Sequence, residues 1–285
     1  MKGILLAGGS GTRLYPLTRA ITKQLLPVYD KPLIYYPLSI LMLSGIKDIM
    51  LITSAGEQER FKNVLGDGRQ LGIKITYAVQ NKPRGIAEAL LIAEKFIGGD
   101  HFCLVLGDNI FFGDGLSRIL QETVSSKENV IFGYYVKDPE RYGIVEFDKN
   151  NRIVSLEEKP TKPKSHYAVP GLYFYGPEAV GIARKLKPSR RGEIEITDIN
   201  KELLKQDRLT LKVFSRGYAW LDTGTYDALL SAAMFVKTIE DRQGLKIGCI
   251  EEIAWRMGYI SAAQLKKIAG QINTSYGDYL KEMVR

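Results

Sequence analysis

The segment from Gly8 to Arg13 carries the clearest chemical pattern in the chain. It reads Gly-Gly-Ser-Gly-Thr-Arg and directly follows a short apolar run, Lys2–Ala7. Glycine permits backbone conformations in which several N–H groups converge on an anion. Thr12 adds a hydroxyl donor, and Arg13 adds a guanidinium that binds phosphate through two hydrogen bonds. The segment therefore predicts a phosphate-binding turn, and a purely structural glycine turn is the less favoured interpretation.

Two common phosphate-binding motifs do not fit this segment. A P-loop requires a Lys-Ser or Lys-Thr pair after its last glycine, and no such pair closes this turn. The dinucleotide fingerprint G-x-G-x-x-G begins correctly at Gly9 but has Leu14 where the third glycine belongs. We therefore expect the turn to bind phosphate in a different way.

Asp108 offers oxygen ligands for a hard cation. It follows the apolar run His101–Leu106, at the point where a parallel strand ends and where ligands bind in α/β sheets. A carboxylate at this place, completed by phosphate oxygens and water, suits Mg²⁺. For Asp108 taken alone, a turn-capping role is equally well supported.

The elements that must position these residues alternate between strand and helix in the first part of the chain. Four short runs are apolar throughout, as strands covered on both faces are, and helical segments separate them. The predicted strands are Lys2–Ala7, Asp48–Thr53, Ile73–Val79 and His101–Leu106, and the predicted helices are about 34–45, 57–65 and 85–96. This alternation predicts a Rossmann-like α/β fold with a mixed, mostly parallel sheet flanked by helices.

The pattern changes after about residue 115. A helix at about 115–126 precedes strand-like runs that are separated by Gly, Asn and Pro. These runs are Val130–Val136, Tyr142–Phe147, Ile153–Leu156 and Ala168–Tyr175, and helical segments follow at about 225–240, 249–257, 261–270 and 274–284. We therefore expect an α/β domain over residues 1–240, β-rich in its second half, and a helical C-terminal extension over residues 241–285.

The composition excludes several classes of protein. Of the 285 residues, 45% are hydrophobic and 25% are charged, which argues against disorder. Cys103 and Cys249 form no C-x-x-C pair, which argues against a disulfide scaffold or a cysteine zinc site. No apolar run of about 18 residues predicts a membrane span, so we expect a cytoplasmic protein. The net charge of +8 fits a solvated surface, an anionic substrate or a nucleic acid, but no dense basic block favours the last.

Several blocks together resemble the sugar-1-phosphate nucleotidyltransferase family, in particular its bacterial thymidylyltransferases. They occur in the family's order and cover nearly the whole chain. The blocks are Ala7–Leu14, Lys23–Val28, Tyr29–Leu38, Leu106–Asn109, Asp138–Gly143, Leu156–Pro160, Arg191–Asp198 and Tyr218–Thr225. The resemblance implies a nucleotidyltransferase fold, with a nucleotide-binding part at about 1–115 and a sugar-binding part at about 116–240.

The resemblance also implies a reaction. dTTP and α-D-glucose 1-phosphate would give dTDP-glucose and pyrophosphate, as the first step of dTDP-L-rhamnose-type sugar synthesis. The sugar phosphate would attack the α-phosphorus in line, without a covalent intermediate. Because two anions must meet, positioning and charge neutralisation carry such catalysis. The resemblance places Asp108 and Asp222 on one Mg²⁺, an ion that prefers oxygen ligands. Asp222 is expected in a turn-like segment, Leu221–Gly224.

Further residues receive roles from the resemblance. Arg13, Lys23 and Lys159 are expected to be catalytic by holding phosphates, although either lysine taken alone is an ordinary surface lysine. The residues expected to contact the nucleotide are Leu6, Gly8, Gly9, Gly11, Thr12, Arg13, Lys23, Gln24, Gln80 and Gly85. Those expected to contact the sugar are Asn109, Tyr142, Gly143, Glu158, Lys159, Val169 and Tyr173. The Gln80 amide, which both donates and accepts, would read the pyrimidine edge.

Regulation and assembly are a further implication of the resemblance. Members of this kind are often homotetramers inhibited by dTDP-rhamnose at a second site between subunits. The residues that match such a site are Phe112, Gly113, Arg216, Glu252 and Arg256, with surface and packing roles as the alternative.

The sequence departs from the family pattern at two places near the expected substrates. Arg84 stands where many members carry Asp, beside the loop that would hold the base. Pro170 stands where Thr is expected, next to the sugar contact Val169. The first departure bears on the preference for thymine, and the second bears on sugar tolerance.

Three other functions stay open at this point. The same chemistry could use UTP or another sugar phosphate, since thymine and uracil differ by one methyl group, worth about 1–3 kcal/mol in a pocket. A silent nucleotide-sugar sensor on the same fold would have lost Arg13, Asp108, Lys159 or Asp222, and all four are present. A nucleic-acid-binding protein is the least favoured of the three.

Overall fold

The fold is built around a ten-stranded sheet that is parallel on one side and mostly antiparallel on the other. The structure is a computed structural model that describes residues 1–9 and 11–285, so Ser10 of the glycine-rich segment lies outside the described residues. The strands formed by the described residues are β1 Lys2–Ala7, β2 Pro27–Val28, β3 Lys31–Pro32, β4 Asp48–Ser54, β5 Lys74–Gln80, β6 Phe102–Leu106, β7 Asn109–Gly113, β8 Val130–Tyr135, β9 Gly143–Phe147, β10 Ile153–Glu158, β11 Tyr167–Ala168, β12 Leu172–Tyr175, β13 Thr210–Val213 and β14 Tyr218–Asp222.

Helices cover the sheet and form the C-terminal region. They are α1 Tyr35–Leu43, α2 Gln58–Leu65, α3 Glu88–Ile92, α4 Glu94–Ile97, α5 Leu116–Ser126, α6 Glu178–Lys185, α7 Ile196–Lys205, α8 Tyr226–Gln243, α9 Ile250–Arg256, α10 Ala262–Gly270 and α11 Ser275–Glu282. None of these helices is long and apolar enough to cross a membrane.

The strand order places a parallel unit on one side of the sheet. The order is β10, β9, β11, β8, β12, β6, β1, β4 and β5, and β13 also pairs with β8. Strands β6, β1, β4 and β5 are parallel neighbours, whereas β12 enters antiparallel to β6. Seven of the ten strands nevertheless run in one direction, namely β1, β4, β5, β6, β8, β9 and β13. The predicted mixed, mostly parallel sheet is therefore confirmed.

Both faces of the sheet are buried, which explains why its central strands are apolar throughout. Ile4 and Leu5 are neighbours in β1 that point to opposite faces. Leu5 belongs to a buried cluster with Phe61, to which α1, α2, α5 and α9 contribute. Ile4 belongs to a second cluster with Leu90, to which α3, α6 and α7 contribute. This two-sided burial is the condition under which parallel strands lose their polar positions.

The C-terminal helices pack on the first half of the chain. Helices α9 to α11 share a small core of their own that includes Leu265 and Leu280, and α9 also contributes to the cluster around α1. Lys31, with a side chain only 1% exposed, reaches Glu240 at the end of α8 with a separation of 3.0 Å. The predicted helical C-terminal region is thus present. The predicted domain boundary at residues 240 and 241 stays a prediction.

Some predicted elements were wrong in detail. The single strand expected over Ala168–Tyr175 is two strands, β11 and β12, because Pro170 lacks the N–H that a ladder needs. The single helix expected at about 85–96 is two short helices, α3 and α4, and the first begins only at Glu88 because Gly85 has a non-helical φ of 105°. Asp222 ends strand β14 and does not lie in a turn.

Candidate active site

A cleft of about 610 Å³ opens at the carboxyl ends of the parallel strands. The ends of β1, β5 and β6 contribute Leu6, Gln80 and Leu106 to its wall, and Asp108 lies just beyond β6. The opposite wall comes from the antiparallel half, where Gly143 begins β9 and Glu158 ends β10. This is the edge at which open α/β sheets bind ligands.

The glycine-rich turn forms one lip of this cleft. Gly9 and Gly11 have φ values of 101° and 59°, which favour glycine. The Thr18 hydroxyl donates to the Gly11 carbonyl at 2.8 Å, and the short helical turn that follows carries the buried Leu14. A β-carbon placed on Gly224 would lie 3.3 Å from both terminal nitrogens of Arg13. The Arg13 guanidinium therefore lies against the segment that follows β14.

Lys23 and Asp108 form an ion pair at the centre of the site. The Lys23 Nζ lies 2.6 Å from Asp108 Oδ2, and Lys23 is only 8% exposed, so it is not an ordinary surface lysine. Burial opposes the charge of Asp108, but Lys23 and a hydrogen bond from Asn109 outweigh it and lower the pKa of this carboxyl. Asp108 is therefore held ionised.

Asp222 reaches the same place through a second, small sheet. Strands β7 and β14 pair antiparallel, and Asp222 lies opposite Asn109, the neighbour of Asp108. Burial and the negative charge of Asp108 raise the pKa of Asp222, and the opposing charges of Lys23, Arg13 and Arg141 do not cancel this effect. Asp222 Oδ2 lies 3.4 Å from Arg141. The two carboxylates thus form an anionic pair.

This donor set fits a hard divalent cation. Carboxylate oxygens are the ligands that Mg²⁺ prefers, with phosphate oxygens and water completing its shell. The repulsion that raises the pKa of Asp222 is what a bound cation would relieve. Among the described residues, no group of three or more His, Cys, Asp and Glu residues could hold a metal ion. A cation held by Asp108 and Asp222 therefore needs the substrate's oxygens as well.

The Asn109 side chain makes three hydrogen bonds inside the protein. Its Nδ2 donates to Asp108 Oδ1 at 2.8 Å, and its Oδ1 accepts from the Gly171 N–H at 3.0 Å. The same oxygen accepts from Trp220 Nε1 at 2.7 Å. Asn109, expected as a sugar contact, lines the cleft but also orients the Asp108 carboxylate.

The sugar side of the cleft centres on Glu158. The Thr197 hydroxyl donates to Glu158 Oε2, and Arg191 lies 3.7 Å from Oε1. A β-carbon on Gly143 would lie 3.1 Å from Glu158 Oε2, so only glycine leaves this carboxylate clear. Lys159 follows with a φ of 43°, a left-handed value that costs energy for a non-glycine residue. Its amide N–H bonds to the Tyr142 carbonyl at 3.0 Å, which holds this conformation.

Aromatic side chains surround these polar groups. Tyr142 meets Trp220 edge to face at a centroid distance of 5.0 Å. Burial and the charge of Asp222 raise the pKa of Tyr142 to about 12, so its hydroxyl stays protonated. Tyr173 is 3% exposed and stacks on Tyr175, and burial raises its pKa as well. The result is the partly apolar wall that a hexose ring needs.

Most residues predicted from the sequence meet in this cleft. Those that line it are Leu6, Gly8, Gly9, Arg13, Gln24, Gln80, Gly85, Asp108, Asn109, Tyr142, Gly143, Glu158, Lys159, Val169, Tyr173 and Asp222. Lys23 lines an adjoining cavity of about 320 Å³ and reaches Asp108 from there. Gly11 and Thr12 line neither space among those described, and they shape the turn that carries Arg13.

The residues predicted for a regulatory site lie elsewhere. Glu252 and Arg256 form an ion pair of 2.7 Å along α9. Gly113 ends β7 and packs against Tyr218. Within the described part of the chain, no hydrogen bond or ion pair joins Arg216 to these residues.

Sequence reasoning missed several residues that shape the cleft. Arg141, Trp220 and Thr197 all lie in blocks that carried the family resemblance, yet none received a role. Arg141 pairs with Asp222, Trp220 bonds to Asn109, and Thr197 bonds to Glu158. Their presence in those blocks could have marked them as site residues. Their hydrogen-bond and ion-pair partners could not be inferred, because these lie far away along the chain.

Comparisons with known proteins show the family of this chain. The family model described as "Nucleotidyl transferase" matches residues 2–239. A glucose-1-phosphate thymidylyltransferase of Neisseria meningitidis is 54% identical over 287 residues, covering 100% of both chains. One of Mycobacterium tuberculosis is 55% identical over 285 residues, covering 100% of this chain and 99% of its own.

Solved structures show the same fold. A Bacillus anthracis protein, provisionally assigned as a glucose-1-phosphate thymidylyltransferase and crystallised with sucrose, has a TM-score of 0.76 at 42% identity. The match covers 82% of this chain and 94% of that one. A UDP-glucose pyrophosphorylase bound to UDP-glucose has a TM-score of 0.73 over 84% of this chain and 98% of its own. At 24% identity, that likeness concerns the fold alone.

Proposed function

The chain belongs to the nucleotidyl transferase family, and on this premise we propose that it is a glucose-1-phosphate thymidylyltransferase. It joins dTTP to α-D-glucose 1-phosphate and releases pyrophosphate, giving dTDP-glucose. The observation that carries the proposal is the anionic pair of Asp108 and Asp222, which lies between the glycine-rich turn and the Glu158 side of the cleft. A nucleotide and a sugar phosphate that enter from these two sides would meet at this pair.

The cations around the pair suit the charges of the reaction. Arg13 extends from the glycine-rich turn and would hold the β- and γ-phosphates, where charge grows as pyrophosphate leaves. Lys23 lies 2.6 Å from Asp108 and would contact the phosphates from the other side. Lys159 is half-exposed beside Glu158 and would neutralise the sugar phosphate. With both substrates held in this way, the sugar phosphate oxygen attacks the α-phosphorus in line.

Members of this family generally use a divalent metal, and we assign Mg²⁺ to Asp108 and Asp222. When bound, the ion supplies positive charge to the reacting phosphate oxygens. Asp108 is prepared for this role because Lys23 and Asn109 keep it ionised and oriented. Asp222 is the more basic of the two carboxyls, because burial and Asp108 raise its pKa.

The sugar hydroxyls would find their partners on the opposite wall. Glu158 offers a carboxylate that Thr197 and Arg191 hold in place. The Val169 N–H donates to the Gly143 carbonyl at 2.8 Å, which fixes the backbone at both expected sugar contacts. Tyr142 and Tyr173 supply the apolar surface. A regulatory site with dTDP-rhamnose as its ligand, a homotetramer and a cytoplasmic location stay predictions.

Pyrophosphate release with Mg²⁺ and glucose 1-phosphate tests this function across dTTP, UTP, ATP, GTP and CTP. We expect dTTP to be used best and UTP second, because the two bases differ by one methyl group at this edge. A clear UTP optimum would keep the mechanism and change the substrate. If folded protein releases no pyrophosphate with any of the five nucleotides, the proposal fails for glucose 1-phosphate.

A further inference from the structure

The orientation of one amide determines which base edge the cleft presents. Gln80 ends β5 and is 6% exposed. Its Nε2 donates to Glu88 Oε2 at 2.8 Å and to the Gly85 carbonyl oxygen at 3.3 Å. Both amide hydrogens are therefore used inside the protein. The remaining oxygen, Oε1, faces Gly8 on the cleft wall, at 2.7 Å from where a β-carbon on Gly8 would lie.

Glu88 is the residue that selects this orientation. Its Oε2 also accepts from the Arg84 N–H at 3.3 Å, so the carboxylate is tied to the loop before α3. An ionised carboxylate only accepts hydrogen bonds, whereas an amide has one accepting and one donating end. Rotation of the Gln80 amide by half a turn would set its oxygen against the Glu88 carboxylate and the Gly85 carbonyl. The Gln80 oxygen would then face two other oxygen atoms with no hydrogen between them, which disfavours that orientation.

Gly85, whose carbonyl contacts the Gln80 amide, also carries a hydrogen-bond donor. The Gly85 N–H has no hydrogen-bond partner among the described residues, and Gly85 lines the cleft together with Gln80. An acceptor next to a donor complements a base edge that has a ring N–H next to a carbonyl. Thymine and uracil present this edge through N3–H and O4. Cytosine presents the reverse, because its N3 accepts and its exocyclic amine donates.

We propose that Glu88 is a positioning residue that holds the Gln80 carbonyl oxygen toward the cleft and so makes the site select bases with a ring N–H beside a carbonyl. The inference rests on the proposed function for the placement of the base. The proposed selection applies equally to thymine and uracil. Other contacts would recognise the methyl group that distinguishes these two bases. Arg84 takes part through its backbone alone, which allows the side chain at this position to vary.

The test compares kcat/KM for dTTP, dUTP and dCTP in the wild type and in the variants Glu88→Ala and Glu88→Gln. Without the carboxylate the Gln80 amide turns freely, so in Glu88→Ala we expect the dTTP-to-dCTP ratio to fall about tenfold. The dTTP-to-dUTP ratio stays unchanged, because both bases share the edge. Glu88→Gln keeps an acceptor and retains most of the discrimination. The control is Glu94→Ala in α4, which removes an exposed ion pair with Arg184 of α6 and should leave both ratios unchanged.

Two outcomes would overturn the proposal. If Glu88→Ala weakens dTTP and dCTP equally, Glu88 only supports the loop. If the dTTP-to-dUTP ratio changes as much as the dTTP-to-dCTP ratio, the carboxylate does not act through the imide edge. Competition binding of the same three nucleotides gives the ratios independently of turnover. Failure of the wild type to turn over dTTP would therefore refute the proposed function without deciding the role of Glu88.

Discussion

Replacing Lys23 by methionine removes the charge from one side of the central ion pair and keeps an unbranched side chain that is one atom shorter. Lys23 is 8% exposed, and the Asp108 side chain is 27% exposed. Breaking a fully buried pair from one side costs about 3–5 kcal/mol, whereas an exposed pair is worth about 0–1 kcal/mol. The intermediate burial here gives about 2 kcal/mol of lost unfolding free energy, or about 3 °C in Tm for a chain of this length.

The loss should depend on pH with a definite sign. The pKa of Asp108 in the folded wild type lies below its ordinary value of 3.8. Its ion pair therefore stabilises the fold above that value, and the contribution is lost as pH falls through the folded pKa. In Lys23→Met, Asp108 stays buried but loses the positive charge that offset its burial, so its carboxylate takes up a proton more readily. The difference between the two proteins should shrink between pH 7.5 and pH 4.5.

Urea unfolding of both proteins at the two pH values measures this difference. Lys62→Met is the matched control, because Lys62 forms an exposed ion pair of 2.6 Å with Glu59 and should lose less than about 1 kcal/mol. Equal stability of Lys23→Met and the wild type at pH 7.5 would show that the ion pair does not stabilise the fold. A difference that stays constant down to pH 4.5 would contradict the expected pH dependence.

Three further predictions concern the same cleft. In Asp222→Asn, the free energy of unfolding at pH 7.5 without metal should be no lower than in the wild type, because the raised pKa of Asp222 means that its ionisation lowers stability as pH rises through that pKa. Urea unfolding measures this difference. Pyrophosphate release by the same variant should drop at least about a hundredfold. Arg13→Ala should lower kcat as well as kcat/KM for dTTP in steady-state kinetics, and a change confined to KM would make Arg13 a binding contact only. Gly143→Ala should raise the KM for glucose 1-phosphate about tenfold, with the KM for dTTP unchanged, because its β-carbon would lie 3.1 Å from Glu158 Oε2 and 3.0 Å from the Thr197 hydroxyl.

The first half of the fold could be predicted because its signals are local. Strands such as β1 are apolar on both faces, and the glycine-rich turn follows β1 without interruption. The position of Asp108 past the end of β6 then follows from the parallel arrangement alone. Family resemblance added the roles of Lys23 and Asp222, which no local pattern separates from ordinary surface residues.

The remaining contacts depend on pairing between distant strands. The Thr223 hydroxyl donates to the Asp108 carbonyl at 2.9 Å across 115 positions of sequence, because β14 pairs with β7. Neither strand was predicted, since β7 is short and begins directly after Asp108. The bond from Trp220 to Asn109 depends on the same register. Such a register is set by the packing of the whole sheet, so the sequence near either strand does not reveal it.

The most direct test of the account is the conversion of dTTP and glucose 1-phosphate with Mg²⁺ by the wild type and by Asp108→Asn, with both products quantified. We predict equal amounts of dTDP-glucose and pyrophosphate from the wild type. In Asp108→Asn we predict a loss of at least about a hundredfold, and circular dichroism should show that this variant is folded. Absence of dTDP-glucose from the wild type, or comparable turnover by folded Asp108→Asn, would contradict the assignment of the anionic pair as the centre of the reaction.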